Sequence, residues 1–256
     1  MIDTHGHLSD ARYDLERDEV VRDMLECGVE AMVDSGTSLI NSMETLANAL
    51  VYDNVFCEIG VHPGSVDEYH PSQLDEFSVM ARDEKVIGVG EIGLDYHYEG
   101  YDRDLQMRVM RELIEFSHAV SLPVTLHVRE AYLDALTVLK DMRGYLTNGV
   151  RLHCYSGSRE MLREFDRFDS YYSFGGVVTF SNFRHQDVVR AVPRDRLLLE
   201  TDCPYLTPVP MRGKTNYPKY LPYIASEIAK ILEMDVEEVD HLTTTNAHTL
   251  YKRLKI

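Results

Sequence analysis

The chain has 256 residues, 44% of them hydrophobic, and a formal net charge of −17. That length suits one large domain or two small ones around a sizeable core. The charge excludes a protein that coats nucleic acid through an overall basic field. No apolar run reaches membrane-spanning length, and no basic-then-apolar N-terminal segment marks a secretory signal. Cys27, Cys57, Cys154 and Cys203 form no C-x-x-C pair. A Cys-rich zinc site is therefore not expected, and the expected compartment is the cytoplasm.

Apolar, β-branched runs alternate with amphipathic stretches along the whole chain. Strands are predicted at 1–5, 30–35, 55–61, 86–92, 123–128, 150–154, 171–178 and 197–201. Helical spacing falls between them, at roughly 12–27, 38–51, 71–82, 102–120, 130–142, 158–167, 183–191 and 219–233, with a last helix at 244–254. The clearest is 102–120, where Leu105, Val109, Leu113, Phe116 and Val120 share one face. No Pro-, Gly- or Ser-rich linker divides the chain. Eight strands, each followed by a helix, predict an α/β fold: a single-domain (β/α)8 TIM-type barrel over 1–256, with a doubly wound open sheet as the alternative.

A barrel places functional residues at the C-terminal ends of its strands. Strand one ends in His5-Gly6-His7, a pair that can converge because alternate strand residues share a face. Alone it is weak, since a chain with this many His gives roughly half an H-x-H match by chance. Strand four, however, ends in Glu91-Ile-Gly-Leu-Asp95, strand five in His127-Val-Arg129, strand six in His153-Cys-Tyr-Ser-Gly and strand eight in Glu200-Thr-Asp202. Five of the eight strands thus finish on residues that suit a divalent metal.

Four His and two carboxylates suffice for two ions. Glu91, from the middle strand, is the expected bridge. His5, His7, Glu91 and Asp202 would hold one ion, and Glu91, His127 and His153 the other. Two ions roughly 3.5–4 Å apart can clamp a phosphate and activate a water. Asp202 is placed to accept that water's proton, so Glu91 and Asp202 are the expected catalytic residues. Imidazoles favour Zn, Mn, Fe or Ni over Mg, which prefers oxygen ligands.

Further residues have two readings each. His62, before Pro63, is either a substrate or outer-shell group or a hydrogen-bonded structural His. Arg129 shares the face of His127 and either binds a phosphate through its planar fork or pairs with a barrel carboxylate. Arg212 and Lys214 lie in a locally basic loop that suits backbone phosphate contacts, or is simply solvated. Tyr96 and Tyr205 are candidates for stacking on bases. His70, His118, His185, His241 and His248 read as surface or packing residues, and His97 is unassigned. Asn246 is expected to cap or anchor the last helix. Gly88-Val-Gly90-Glu-Ile-Gly93 matches G-x-G-x-x-G literally, but its glycines lie within a strand, so close backbone packing is expected rather than a nucleotide loop.

The ordered set Asp3-Thr-His5-Gly-His7, Gly60-Val-His62-Pro63, Gly90-Glu91-Ile-Gly-Leu-Asp95-Tyr96, Leu126-His127-Val-Arg129-Glu130-Ala131, His153-Cys-Tyr-Ser156-Gly157 and Glu200-Thr-Asp202-Cys-Pro204-Tyr205-Leu206 resembles the TatD family of metal-dependent deoxyribonucleases. Arg212-Gly213-Lys214 and Thr245-Asn246-Ala247 also match, so the resemblance spans nearly the full length. It implies a TIM-type barrel and a divalent-metal nuclease, often a 3′→5′ exonuclease on DNA and commonly Mg-dependent. It also implies metal residues at His5, His7, Glu91, His127, His153 and Asp202. The chain departs at Gly6, Gly64 and Tyr155. It departs too at Glu58, whose parity points it into the barrel where the family tends to carry a small residue.

The expected activity is phosphodiester hydrolysis on DNA, at single-stranded or frayed ends. The alternative is hydrolysis of an ester or amide, as in a D-aminoacyl-tRNA deacylase. A partner-binding role for a vestigial barrel is disfavoured by the complete ligand set. No membrane and no obligate protein partner is expected, and the chain is expected to be a monomer.

Overall fold

The computed structural model describes residues 1–256. Strands and helices alternate as β1 Ile2–Gly6, α1 Arg17–Glu26, β2 Ala31–Ser35, α2 Leu39–Val51, β3 Val55–Ile59, α3 Gln73–Met80, β4 Val86–Asp95 and α4 Arg103–Val120. They continue as β5 Val124–Arg129, α5 Tyr132–Asp141, β6 Val150–Leu152, α6 Arg159–Phe165, β7 Ser170–Phe174, α7 Gln186–Ala191, β8 Leu197–Leu199, α8 Leu221–Leu232 and α9 Val236–Leu250. Ser38, Asp102 and Ser158 cap α2, α4 and α6, each side-chain oxygen accepting a first-turn amide.

The strands pair in chain order, each parallel to the next. The seam between β8 and β1 is drawn together just beyond β8. There Gly6 bridges Cys203, and Asp202 N donates to His5 O at 2.9 Å. Side chains reinforce it: Thr4 Oγ1 donates to Leu199 O, and the buried Asp3 carboxylate accepts from Thr201 N at 2.9 Å. The sheet is therefore a nearly closed barrel, not the open alternative. No helix is long and apolar enough to cross a membrane.

Apolar burial is divided in two. One cluster of 61 buried residues lies largely between strands and helices. A second, of 11, brings Ile2, Val33, Phe56, Ile87, Tyr171 and Leu198 against Leu250, Tyr251 and Leu254. Residues at the end of α9 thus plug the N-terminal end of the barrel. The opposite, C-terminal end is left to polar side chains.

Several boundaries differ from the periodicity, each for a local reason. Helix α1 begins at Arg17 because Ala11–Tyr13 forms a separate tight turn capped by Asp10. Helix α9 begins at Val236, not 244, because Asp235 and Glu238 form a capping box. Strand β7 stops at Phe174, and Gly176–Thr179 is a tight turn instead of strand. Leu206 O sits 1.8 Å from where a Cβ on Gly176 would be, so the chain passes flush against the loop after β8. The glycines of β4 serve close packing as expected: a Cβ on Gly88 would meet Glu58 Oε1 at 2.7 Å.

Candidate active site

The short strands β6 and β8 end one residue before His153 and Glu200, while the long β4 carries both Glu91 and Asp95. These endings bring His5, His7, Glu91, His127, His153 and Asp202 together at the C-terminal mouth. Asp202 adopts a left-handed backbone, φ 54, a conformation that Asp enters more readily than most residues.

Glu91 occupies the middle. Its Oε2 faces His5 Nε2 at 3.4 Å and His7 Nε2 at 3.7 Å. Its Oε1 faces His127 Nδ1 at 2.7 Å and His153 Nε2 at 2.8 Å, with His62 Nε2 at 3.8 Å. Asp202 Oδ1 closes the first side, 3.5 Å from His7 Nε2 and 3.8 Å from His5 Nε2. Donor atoms of His5, His7 and Glu91 lie within 4.8 Å of one another, as do those of Glu91, His127 and His153, and of His62, Asp95 and His127. His5 Nε2 and His153 Nδ1 are buried without any hydrogen-bond partner. The orphaned Nε2 of His5, facing Glu91 and Asp202, fits a divalent cation better than a purely hydrogen-bonded core, whereas His153 Nδ1 lies on the other edge of its ring from Glu91, 3.7 Å from Glu200.

The charges are strongly coupled. Burial opposes ionisation of Glu91, but His153, His62 and His5 outweigh it and hold the carboxyl well below its usual range. Burial also opposes charge on His7, yet its hydrogen bond to Asp202 and the charge of Glu91 push it up to about 9. Burial dominates at His62 and lowers it to about 4, so this ring is neutral near pH 7.

Residues to which the sequence assigned no role, two of them within its motifs, stand behind this set. Asp95 Oδ2 lies 3.1 Å from His127 Nε2. Glu200 accepts from Cys154 N at 2.7 Å and Ser173 Oγ at 2.5 Å, 3.7 Å from His153 Nδ1. Ser35 Oγ lies 2.9 Å from His5 Nδ1. The available signal was parity: Asp95 shares that of Glu91, and Glu200 that of Asp202.

The site opens into a cleft of about 1040 Å³. Arg129 lines it and rests on Tyr98, guanidinium 5.3 Å from the ring centroid, rather than on a carboxylate. His62 also lines it, its Nδ1 accepting from Gly64 N at 2.9 Å. Arg212 and Lys214 do not line the cleft. Arg212 stacks on Phe180 at 3.9 Å and donates to Thr207 O, and exposed Lys214 offers its carbonyl to Thr207 Oγ1. Tyr205 lines the cleft beneath Arg12, whereas Tyr96 stacks on Tyr101 and donates to Asp134 outside it. His185, read from sequence as surface or packing, stands exposed at the cleft beside Arg184, because α7 begins one residue after it. His97 pairs with Glu130 at 2.7 Å.

Known proteins resemble this chain in sequence and in fold. A family model described as TatD related DNase matches residues 2–252. The uncharacterized metal-dependent hydrolase YabD of Bacillus subtilis is 39% identical over 98% of this chain and 99% of its own. A Salmonella typhimurium protein named 3′-5′ ssDNA/RNA exonuclease TatD is 28% identical over 98% of this chain and 99% of its own. The crystal structure of YJJV, a TatD homologue from Escherichia coli, superposes with a TM-score of 0.92 at 25% identity, covering 98% of both chains. Matched from end to end in sequence and in fold, the chain belongs to the TatD family of metal-dependent hydrolases.

Proposed function

We propose that this protein is a two-metal phosphodiesterase that removes nucleotides from single-stranded or frayed DNA ends in the 3′→5′ direction. The observation that carries this reading is the placement of Glu91, one carboxylate oxygen toward His5 and His7, the other toward His127 and His153. His5, His7, Glu91 and Asp202 would hold one ion, and Glu91, His127 and His153 the second. When bound, such ions polarise a phosphodiester and lower the pKa of a water. Imidazole-rich ligation favours Zn, Mn, Fe or Ni as residents.

The chain's own groups supply the rest. Asp202 faces both strand-one imidazoles and is placed to take the proton released as water attacks. Arg129 presents its fork to a phosphate, with Tyr98 supporting it from below. Tyr205 and Phe180 offer ring faces along the cleft, and Arg184 and His185 stand at the same wall. The net charge of −17 repels long duplex, so binding relies on these local groups at an end. The exonuclease name of the Salmonella relative supports a nucleic-acid substrate.

The test is digestion of 3′- and 5′-labelled single-stranded oligonucleotides across a panel of divalent metals, beside an aminoacyl ester. Shortening from the 3′ end, lost in Glu91→Ala and Asp202→Ala, is expected. Unchanged cleavage in both variants would sink the site assignment. Turnover of the ester alone would favour a deacylase instead.

A further inference from the structure

Two aromatic rings of the cleft are each backed by an arginine. The guanidinium of Arg12 stands over the ring of Tyr205, 4.5 Å from its centroid, and that of Arg212 over Phe180, 3.9 Å from its centroid. Both rings line the cleft and neither arginine does. Each ring therefore lies between a guanidinium and the cleft. The pair on the opposite wall is built the other way. Arg129 and Tyr98 both line the cleft, so there the cation itself is within reach of a ligand.

The backing arginines are fixed by hydrogen bonds of their own. Arg12 grips Asp10 with two, Nε to Oδ1 at 2.8 Å and Nη2 to Oδ2 at 2.9 Å, and Tyr205 OH lies 3.4 Å from the same Oδ2. One carboxylate thus holds guanidinium and phenol together. Arg212 Nη1 donates to Thr207 O at 3.2 Å, within the loop after β8. The two ring-bearing loops are joined, since Val209 N donates to Thr179 Oγ1 at 2.8 Å. They also adjoin the proposed metal site: the rings of Tyr205 and His7 meet edge-on, centroids 5.9 Å apart.

A guanidinium lying on a ring outside the cleft is not aimed at a phosphate inside it. What it can do is hold the ring, because guanidinium planes stack on aromatic faces. A ring held before binding loses little freedom when a ligand lands on its other face. Tyr205 still keeps 47% of its surface exposed. Ring faces presented in a cleft of this kind suit nucleobases of any sequence. Inside a duplex both faces of a base are covered by its neighbours, so an unpaired base is the one free to take the place.

We propose that Tyr205 and Phe180 form a stacking slot for an unpaired base next to the scissile phosphate, and that Arg12 and Arg212 are positioning residues that hold the two rings from behind. The slot rests on the phosphodiesterase reading above and gives single-strand preference a cause besides charge repulsion.

The test is binding of 5′-fluorescein-labelled single strands, followed by anisotropy in EDTA so that no turnover occurs. One strand is intact, and the other carries abasic sites at its last two nucleotides. Wild type is expected to bind the intact strand roughly 10–100-fold more tightly. Phe180→Leu with Tyr205→Leu keeps apolar bulk but removes both rings, and is expected to bring the two affinities together. Arg212→Ala is expected to weaken the intact strand roughly 2–5-fold, equally at every salt concentration, and to leave the abasic strand as in wild type. Arg12→Ala with Asp10→Asn, which removes that charge couple together, is expected to do the same. In Mn2+-supported digestion both arginine variants should raise KM more than they lower kcat. Equal affinity of wild type for the two strands, including none for either, would overturn the slot. A loss in Arg212→Ala that the abasic strand shares, or that shrinks as salt rises, would make Arg212 a phosphate contact and overturn its positioning role. Failure of the phosphodiesterase reading looks different: base-dependent binding persists while no divalent metal supports shortening.

Discussion

Asp95 Oδ2 lies 3.1 Å from His127 Nε2, and this contact turns the other ring nitrogen, Nδ1, to within 2.7 Å of Glu91 Oε1 and 3.0 Å of His153 Nε2. A carboxylate that accepts the outer N–H of an imidazole fixes its tautomer and raises its basicity as a ligand. Asp95→Ala is therefore expected to weaken the ion held by Glu91, His127 and His153 by roughly 10–100-fold while sparing the other. Stepwise chelator competition resolves the two sites. Equal weakening of both, or of neither, would remove Asp95 from this role.

His7 makes ion uptake pH-dependent. Burial works against its charge, but Asp202 and Glu91 outweigh it and raise the ring to about 9. A raised value means the proton stays on through neutral pH and leaves only as pH climbs through about 9. Cation and proton compete for the same nitrogen. Apparent affinity should rise by up to about tenfold per pH unit between roughly pH 7 and 9, then level off. Calorimetry in two buffers of different ionisation heat measures the proton released; no release near pH 7.5 would contradict the assignment.

The basic residues divide into two groups. Arg129 lies in the cleft on Tyr98, whereas Arg212 braces Phe180 and Thr207 from outside the lining. Arg129→Ala should weaken binding of a single-stranded oligonucleotide roughly tenfold and reduce the salt slope by about one. Arg212→Ala with Lys214→Ala should leave that slope unchanged. Titration at several salt concentrations checks both. A slope lost in the Arg212/Lys214 variant instead would move the phosphate contact to that loop.

The ligand set was legible because a barrel aligns chemistry with strand ends, and the apolar runs mark those ends. The supporting residues were less so, since each acquires meaning only from a distant partner. Glu58 has no partner in its own strand, and Arg151, which donates to it, stands 93 positions later. Its inward parity in Val150-Arg151-Leu152-His153 was the available clue. The wall formed by Phe180, Phe183, Arg184 and His185 was hidden for another reason. The strand reading of 171–178 and the helix reading of 183–191 left only a few residues to loop, but the chain turns at Gly176 against Leu206. Arg212 and Lys214 show the converse: a basic loop composition states charge but not direction.

Asn246 ties α9 to the end of the barrel away from the site. Its Nδ2 donates to Arg194 O and Leu197 O, each at 2.8 Å, and the side chain is buried. Removing the donor leaves two carbonyls at the base of β8 without that partner. Asn246→Ala should cost about 2 kcal/mol and lower the melting temperature by roughly 4–8 °C in a domain of this size. Residues at the N-terminal face of such a barrel serve stability rather than chemistry. The variant's kcat below its unfolding transition should therefore match the wild type. A loss of kcat without a fall in melting temperature would show that α9 acts on the site through the barrel and not merely as its plug.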